Sequence, residues 1–236
     1  MIKDKKVLGI IPARGGSKGL PKKNIKTLCG KPLIEWSILR GLESEYIDRL
    51  IVSTDDPLIA DIARSAGAEV PYLRPPELAT DTTSTVEVLI DLLERLQADK
   101  DNFDILVLLE PTSPIREKED IDNMLLCLRE NWEQFDSIMS IGKAATHPAL
   151  VKKTEGNYLL PYCGEFSCAR RQDLAEAWFP YGVGYIIKTE TFLSSKTFYS
   201  QRNAYYKIKP YQCTEIDDIY DFLCVEALMH YAWEMD

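Results

Sequence analysis

The sequence predicts an α/β fold: one mostly parallel β-sheet with helices on both faces and a small insertion late in the chain. Three observations predict it. Short β-rich runs alternate with segments of helical spacing from Val7 onward. Asp104–Leu109 (D-I-L-V-L-L) is an almost unbroken apolar run, the pattern of a strand covered on both faces. The 236 residues, 45% of them hydrophobic and 28% charged, suit a single domain with one substantial core.

The elements follow in order. Val7–Ile11 reads as the first strand and Leu33–Leu42 as the first helix. Arg49–Ser53 is a strand running into T-D-D-P, where Asp55 or Asp56 can cap a helix starting near Pro57. That helix sets Leu58, Ile59, Ile62, Ala63 and Ala66 on one face and stops at Gly67; Ala68–Leu73 is expected as a third strand. Residues 84–97 carry Val86, Leu89, Ile90, Leu93 and Leu96 at helical spacing. After the strand at 104–109 comes a helix over 118–130 with Ile121, Met124, Leu125 and Leu128 inward, then a strand at Ser137–Ile141. Between about 142 and 180 the alternation lapses into Gly, Pro, Tyr and paired basic residues, which reads as an insertion. Strands resume at Gly182–Ile187 and Tyr205–Ile208, and a last helix begins near Asp218.

Composition narrows the function. The formal charge is −9, from 28 Lys+Arg against 37 Asp+Glu, which argues against sequence-independent nucleic-acid or anionic-membrane partners. No apolar run approaches the roughly 20 residues of a membrane span, and M-I-K-D-K-K leads directly into a strand, so neither a membrane nor a secretory segment is expected. The six cysteines are scattered without a C-x-x-C, as reduced thiols of a cytoplasmic protein would be. Two histidines leave little material for histidine metal sites or triads.

Against this acidic background the stretch I-P-A-R-G-G-S-K-G-L-P-K-K-N at 11–24 is glycine-rich and basic. Glycines after a strand let backbone N–H groups approach an anion, and Arg14, Lys18, Lys22 and Lys23 supply countercharge. Neither G-x-x-x-x-G-K-[ST] nor G-x-G-x-x-G is present. In α/β sheets ligands bind beyond the carboxyl ends of strands. This loop, the one after Leu73 and the one after Leu109 all fall at that edge.

Further motifs stand in line with the first: G-K-P-L-I at 30–34, V-S-T-D-D at 52–56, R-P-P-E-L-A-T-D-T-T-S at 74–84, L-L-E-P-T-S-P-I-R at 108–116, R-R-Q-D-L at 170–174 and E-I-D at 215–217. The set resembles, in content and order along nearly the whole chain, the CMP-acylneuraminate synthetases (acylneuraminate cytidylyltransferases). The resemblance implies a Rossmann-like nucleotidyltransferase sheet and a reaction joining CTP to a nonulosonic (sialic-type) acid. In that reaction the anomeric hydroxyl attacks the CTP α-phosphate, giving a CMP-sugar and pyrophosphate with Mg²⁺.

The same resemblance implies the site. Arg14, Lys23 and Asn24 grip the nucleotide, with Ser17 and the Gly15-Gly16 backbone cradling phosphates, whereas Lys22 and Lys26 read as a solvated face. Arg74, Thr83 and Ser84 match a second nucleotide loop; Thr83 and Ser84 equally suit turn and helix-cap chemistry. Asp217 matches a Mg²⁺ ligand, and Glu215, two residues earlier, shares its face in an extended segment. Asp218 and Asp221 suit the N-terminus of the last helix. Arg171 and Gln172 match a pair acting at the sugar and the reacting phosphate, in an insertion that docks on a second subunit. Arg14, Lys23, Arg171 and Asp217 form the expected catalytic set, and a homodimer with shared sites is expected.

Lys152, Tyr185, Phe198 and Tyr199 match sugar-contacting positions more loosely, and the aromatic pair at 198–199 equally suits a core or an interface. Two departures lie on the sugar side: Glu110 stands where the family usually has glutamine, and Tyr181 where it has asparagine. They point to a legionaminate-like acid as an alternative to N-acetylneuraminate. The rival readings are a pseudaminate or Kdo cytidylyltransferase, a metal-dependent glycosyltransferase of similar sheet architecture, and a non-catalytic nucleotide-binding module.

Overall fold

The computed structural model describes residue 2 and residues 4–163 and 174–234. The chain begins with β1 (Val7–Pro12), a small hairpin of β2 (Thr27–Leu28) and β3 (Lys31–Pro32), then α1 (Leu33–Leu42), β4 (Arg49–Ser53) and α2 (Pro57–Ser65). Next come α3 (Thr85–Ala98), β5 (Ile105–Leu108), α4 (Asp120–Glu130) and β6 (Ser137–Lys143). A second hairpin, β7 (Lys152–Glu155) with β8 (Tyr158–Pro161), precedes β9 (Trp178–Lys188), α5 (Thr189–Ser195), β10 (Asn203–Lys207) and α6 (Ile219–Glu234).

The central sheet has six strands in the order β10-β6-β9-β5-β1-β4. β1 pairs in parallel with β4 and β5, and β6 in parallel with β10, while β9 runs antiparallel between β5 and β6. The mostly parallel sheet is therefore as the sequence predicts. From β1 the chain crosses to one side to form β4 and later to the other to form β5. The crevice beyond the carboxyl ends of β1 and β5 is thus a topological switch point.

Alternate residues of the central strands feed two cores. Val7, Ile11, Val52 and Val107 pack with Ile34 and Ile38 of α1, Ile59 and Ala63 of α2, and Ile121, Met124, Leu125 and Leu128 of α4. Leu8, Ile10, Leu106 and Leu108 pack on the opposite face with Val88, Leu89, Leu92, Leu93 and Leu96 of α3 and with Phe192 of α5. A further cluster seats α6, through Phe222, Val225 and Met229, on Leu20, Leu28 and Leu33.

Three local expectations are corrected. Ala68–Leu73 is not a strand: a single bridge pairs Glu69 with Ile51, and Pro71, lacking an N–H, ends the ladder. Leu58, expected inward on α2, is 53% exposed because it occupies the second position of the helix, beside its cap. Of the stretch 142–180, Gly142 and Lys143 close β6 and residues 178–180 open β9. No described helix is long and apolar enough to cross a membrane.

Candidate active site

The loop after β1 and the segment before α6 form two walls of a cleft of about 390 Å³. Its floor is the carboxyl edge of β1 and β5, at Pro12 and Glu110–Thr112. Of the residues expected from the sequence, Arg14, Gly16, Ser17, Lys23, Asn24, Arg74, Thr83, Glu110, Glu215 and Asp217 all line it. The two walls touch. Lys23 Nζ donates to the Ile216 carbonyl at 2.8 Å and meets Asp217 Oδ1 at 3.3 Å. A Cβ on Gly19 would fall on the Asp217 carbonyl oxygen, so only glycine allows this approach.

The first loop is held from behind. Asn24 is buried, and its Nδ2 donates to the Arg14 carbonyl at 3.0 Å, so it shapes the loop that presents Arg14. Gly15 N donates to Asp55 Oδ1 at 3.0 Å, whereas Asp56 caps α2 by accepting from Leu58 N at 2.8 Å and from Ile59 N. The T-D-D pair thus divides its work between the loop and the helix.

Two loop cations share one carboxylate: Arg14 Nη1 lies 2.7 Å from Asp81 Oδ1 and Lys18 Nζ 2.9 Å from Oδ2. Lys18, then Arg14, hold the Asp81 carboxyl below the usual carboxylate range. Such exposed pairs contribute little to stability and exchange readily for another anion. Arg74 is buried, donates to the Leu78 carbonyl at 3.2 Å, and keeps a buried Nε without a hydrogen-bond partner. Burial pulls its guanidinium down, opposed by Asp55.

The neighbouring loop resolves the two roles left open. Thr83 faces the cleft and bonds Thr80 Oγ1 at 2.7 Å. Ser84 caps α3: its Oγ accepts from Glu87 N at 3.2 Å, and Glu87 Oε2 accepts from Ser84 N at 2.7 Å. Capping, not the cleft, occupies Ser84.

On the other wall, Glu215 Oε1 accepts from Gly182 N at 2.6 Å and Ser113 Oγ at 3.0 Å. Asp217 projects a side chain that is 84% exposed. Asp218 Oδ1 accepts from Tyr220 N and Asp221 N, and Asp221 Oδ2 from Asp217 N and Asp218 N, the expected acidic start of α6. Glu110 is partly buried, and burial, then Glu215, push its carboxyl up to about 7 against the pull of Arg116.

Glu110 also borders a smaller pocket of about 180 Å³ walled by Tyr185, Phe198 and Tyr199. Phe198 is a core residue whose ring packs tilted against Phe192 with centroids 5.1 Å apart, whereas Tyr199 is exposed. Burial, then Glu110, raise the Tyr185 hydroxyl. Two described residues of the sequence expectations are not gathered here. Lys152 stands exposed on the separate β7–β8 hairpin. Tyr181 is buried in an apolar cluster with Val183 and Ile208 and lines neither pocket. Arg171 and Gln172 lie outside the described residues.

Arg116 is the residue that motif reading leaves without a role. It is buried, and its guanidinium spans three chain segments. Nε donates to the Val183 carbonyl at 2.7 Å, Nη1 to Ser37 Oγ at 2.8 Å, and Nη2 to the Glu110 and Gly182 carbonyls, both at 2.7 Å. Burial lowers it to about 10, opposed by Glu110, Asp120 and Glu215. The one sequence signal for it is an arginine directly after the buried S-P-I that follows β5.

Comparison with known proteins follows this geometry. A family model described as cytidylyltransferase matches residues 8–232. The chain is 33% identical over 235 residues to a CMP-N,N'-diacetyllegionaminic acid synthase of Legionella pneumophila, covering 95% of this chain and 96% of that one. It is 34% identical over 223 residues to an N-acylneuraminate cytidylyltransferase of Streptococcus agalactiae, covering 93% of this chain and about half (52%) of that protein. A pseudaminic acid cytidylyltransferase of Campylobacter jejuni is 29% identical, with 92% and 93% covered. Among solved structures, a CMP:2-keto-3-deoxy-manno-octonic acid synthetase complexed with CTP superposes with a TM-score of 0.70 at 19% identity, covering 96% and 99%. That likeness is one of fold.

Proposed function

This chain belongs to the cytidylyltransferase family, and from that premise we propose that it activates a nonulosonic acid with CTP. The acceptor's anomeric hydroxyl oxygen forms a bond to the α-phosphorus. The α–β phosphoanhydride bond breaks, pyrophosphate leaves, and the hydroxyl proton passes to a base or to water. The carrying observation is a single cleft at the switch point with loop cations on one wall and carboxylates on the other. Names of relatives sharing most of the chain support the substrate class.

In this reading the triphosphate takes the place of Asp81 as partner of Arg14 and Lys18, and Lys23 reaches the phosphates from beside Asp217. Ser17 and the Gly15-Gly16 backbone lie along the phosphate chain, and Arg74 and Thr83 close the nucleotide side. Such preorganised cations stabilise charge spreading over phosphoryl oxygens without reorganising during the reaction.

The donor set fits Mg²⁺. Asp217 is open to the cleft and Glu215 has one oxygen uncommitted, and a hard cation takes one or two carboxylates plus substrate phosphates rather than a full protein cage. Among the described residues no group of three or more His, Cys, Asp or Glu forms such a cage. Asp217 and Glu215 would hold the ion, which when bound offsets negative charge on the phosphate oxygens.

The reading extends to a homodimer with shared sites, in which the insertion around 142–180 docks on a second subunit and brings Lys152, Arg171 and Gln172 to the acceptor. The exposed Tyr158, Leu159 and Tyr162 of the hairpin region support it. Free thiols at Cys29, Cys127, Cys163, Cys213 and Cys224 suit a reducing, cytoplasmic location. Glu110 favours a legionaminate-like acid over N-acetylneuraminate.

The test is pyrophosphate release from CTP, with and without Mg²⁺, against N-acetylneuraminate, a legionaminate, pseudaminate and Kdo. Release with at least one nine-carbon acid and none with Kdo is expected. Silence with every nine-carbon acid would defeat the proposal.

A further inference from the structure

The acceptor side of the cleft carries charge that the protein itself leaves unanswered. Glu110, Glu215 and Asp217 line one cleft. Lys23 answers Asp217, and Gly182 N with Ser113 answers Glu215. For Glu110, among the described residues, only the main chain is bonded, its N–H to the Gly182 carbonyl and its carbonyl to Ser37, Ser113 and Arg116; no donor lies within hydrogen-bond distance of its carboxylate. Arg116 turns all its bonds to carbonyls and to Ser37 Oγ, so its charge sits behind the floor and is not offered to the cleft.

One side of the carboxylate is bounded by the main chain. A Cβ on Gly182 would fall on Glu110 Oε2, so the glycine is the wall against which the carboxylate rests. On its other side opens the pocket of about 180 Å³ formed by Tyr185, Phe198 and Tyr199, with Tyr185 and Tyr199 ring centroids 6.5 Å apart. A partly buried carboxylate without a protein donor is favoured when a ligand supplies one. A carboxylate at the mouth of an aromatic-walled pocket offers a cation both an ion pair and ring faces. The same negative charge repels a carboxylate or any other acceptor-only group placed there.

Resting on the reading of this cleft as a nonulosonate cytidylyltransferase site, we propose that Glu110 selects an acceptor acid whose ring substituent at this pocket bears a cationic nitrogen, a free amine or amidine. The acceptor's own carboxylate is turned away from Glu110, toward the cations of the opposite wall. A neutral acetamide at the same position offers one N–H but no charge, and leaves the Glu110 carboxylate without a cation in the cleft.

The experiment uses the full chain, CTP, Mg²⁺ and a matched pair of nonulosonic acids differing only in a free amine against its acetamide, read as kcat/KM for pyrophosphate release. Wild type is expected to favour the amine by tenfold or more, a margin typical of a site built around a polar partner. Glu110→Gln is expected to abolish or invert that preference, and Tyr199→Leu, at an exposed ring outside the core, to reduce it. A wild-type preference for the acetamide, equal use of both acids, or a preference that survives in Glu110→Gln overturns the proposal. Activation of neither acid, nor of any other nonulosonate, removes the underlying reading as well, and so is told apart from failure of the selection alone.

Discussion

The two halves of the cleft hold their charges in opposite ways. On the nucleotide side Arg14 and Lys18 meet Asp81 in exposed pairs that any polyanion can replace. On the acceptor side Arg116 is buried with four hydrogen bonds, and Glu110 is bounded on one side by Gly182. A triphosphate brings its own charge and needs cations that are ready to exchange. An acceptor must be held at one angle to one phosphorus, which calls for groups that cannot move. Substitutions of the buried groups should therefore register in stability, and those of the exposed ones in kinetics.

The strongest way to break this contrast is Arg116→Met. It strips four acceptors of their donor in the interior and leaves Glu110 and Asp120 without a buried countercharge, so a loss of about 3–5 kcal/mol in urea unfolding is expected. A loss below about 1 kcal/mol would mean that the floor is not rigid. Next is Asp217→Asn: at an exposed site the melting temperature should hold while kcat falls by about a hundredfold or more. Retention of full activity would remove Asp217 from the proposed metal site.

Glu110→Gln tests the acceptor side through pH. A carboxyl raised from 4.5 to about 7 in the folded state binds more protons there than in the unfolded chain. Its favourable contribution is complete below about 4.5 and is lost as pH rises through 7. Wild-type stability should fall across that window by up to about 3 kcal/mol, and the glutamine variant should fall less. Parallel profiles would show that Glu110 ionises freely. The smallest effect belongs to Asp81→Asn. Freeing Arg14 and Lys18 should lower the KM for CTP by roughly threefold with no measurable change in stability, and a rise in KM would show that Asp81 orders the loop instead of competing for it.

Much of this was legible in the residues. Strand–helix alternation, the two-faced burial of β5, the stop at Gly67 and the inward face of α4 all follow from local chemistry, whereas the meeting of the basic loop with Glu215 and Asp217 in one cleft is implied only by the resemblance of the motifs to a family. What escaped depends on partners remote in sequence. Arg116 has no role in the motif until Ser37, Gly182 and Val183, 66–79 residues away, are brought around it. The antiparallel course of β9 is invisible because an apolar run has the same composition in either direction. Ser84 fits a phosphate loop and a helix cap equally until Glu87 is seen to reach back to it.

The contact between Lys23 and the Ile216 carbonyl joins residues 193 positions apart. A ribosome finishes the basic loop long before it supplies the other wall, so an emerging chain has the grip but nothing to close it against. The cleft is thus complete only once the segment before α6 has been made and packed against Gly19. Any ligand that binds the completed cleft and not the unfolded chain adds to the stability of the contact between the two walls by mass action.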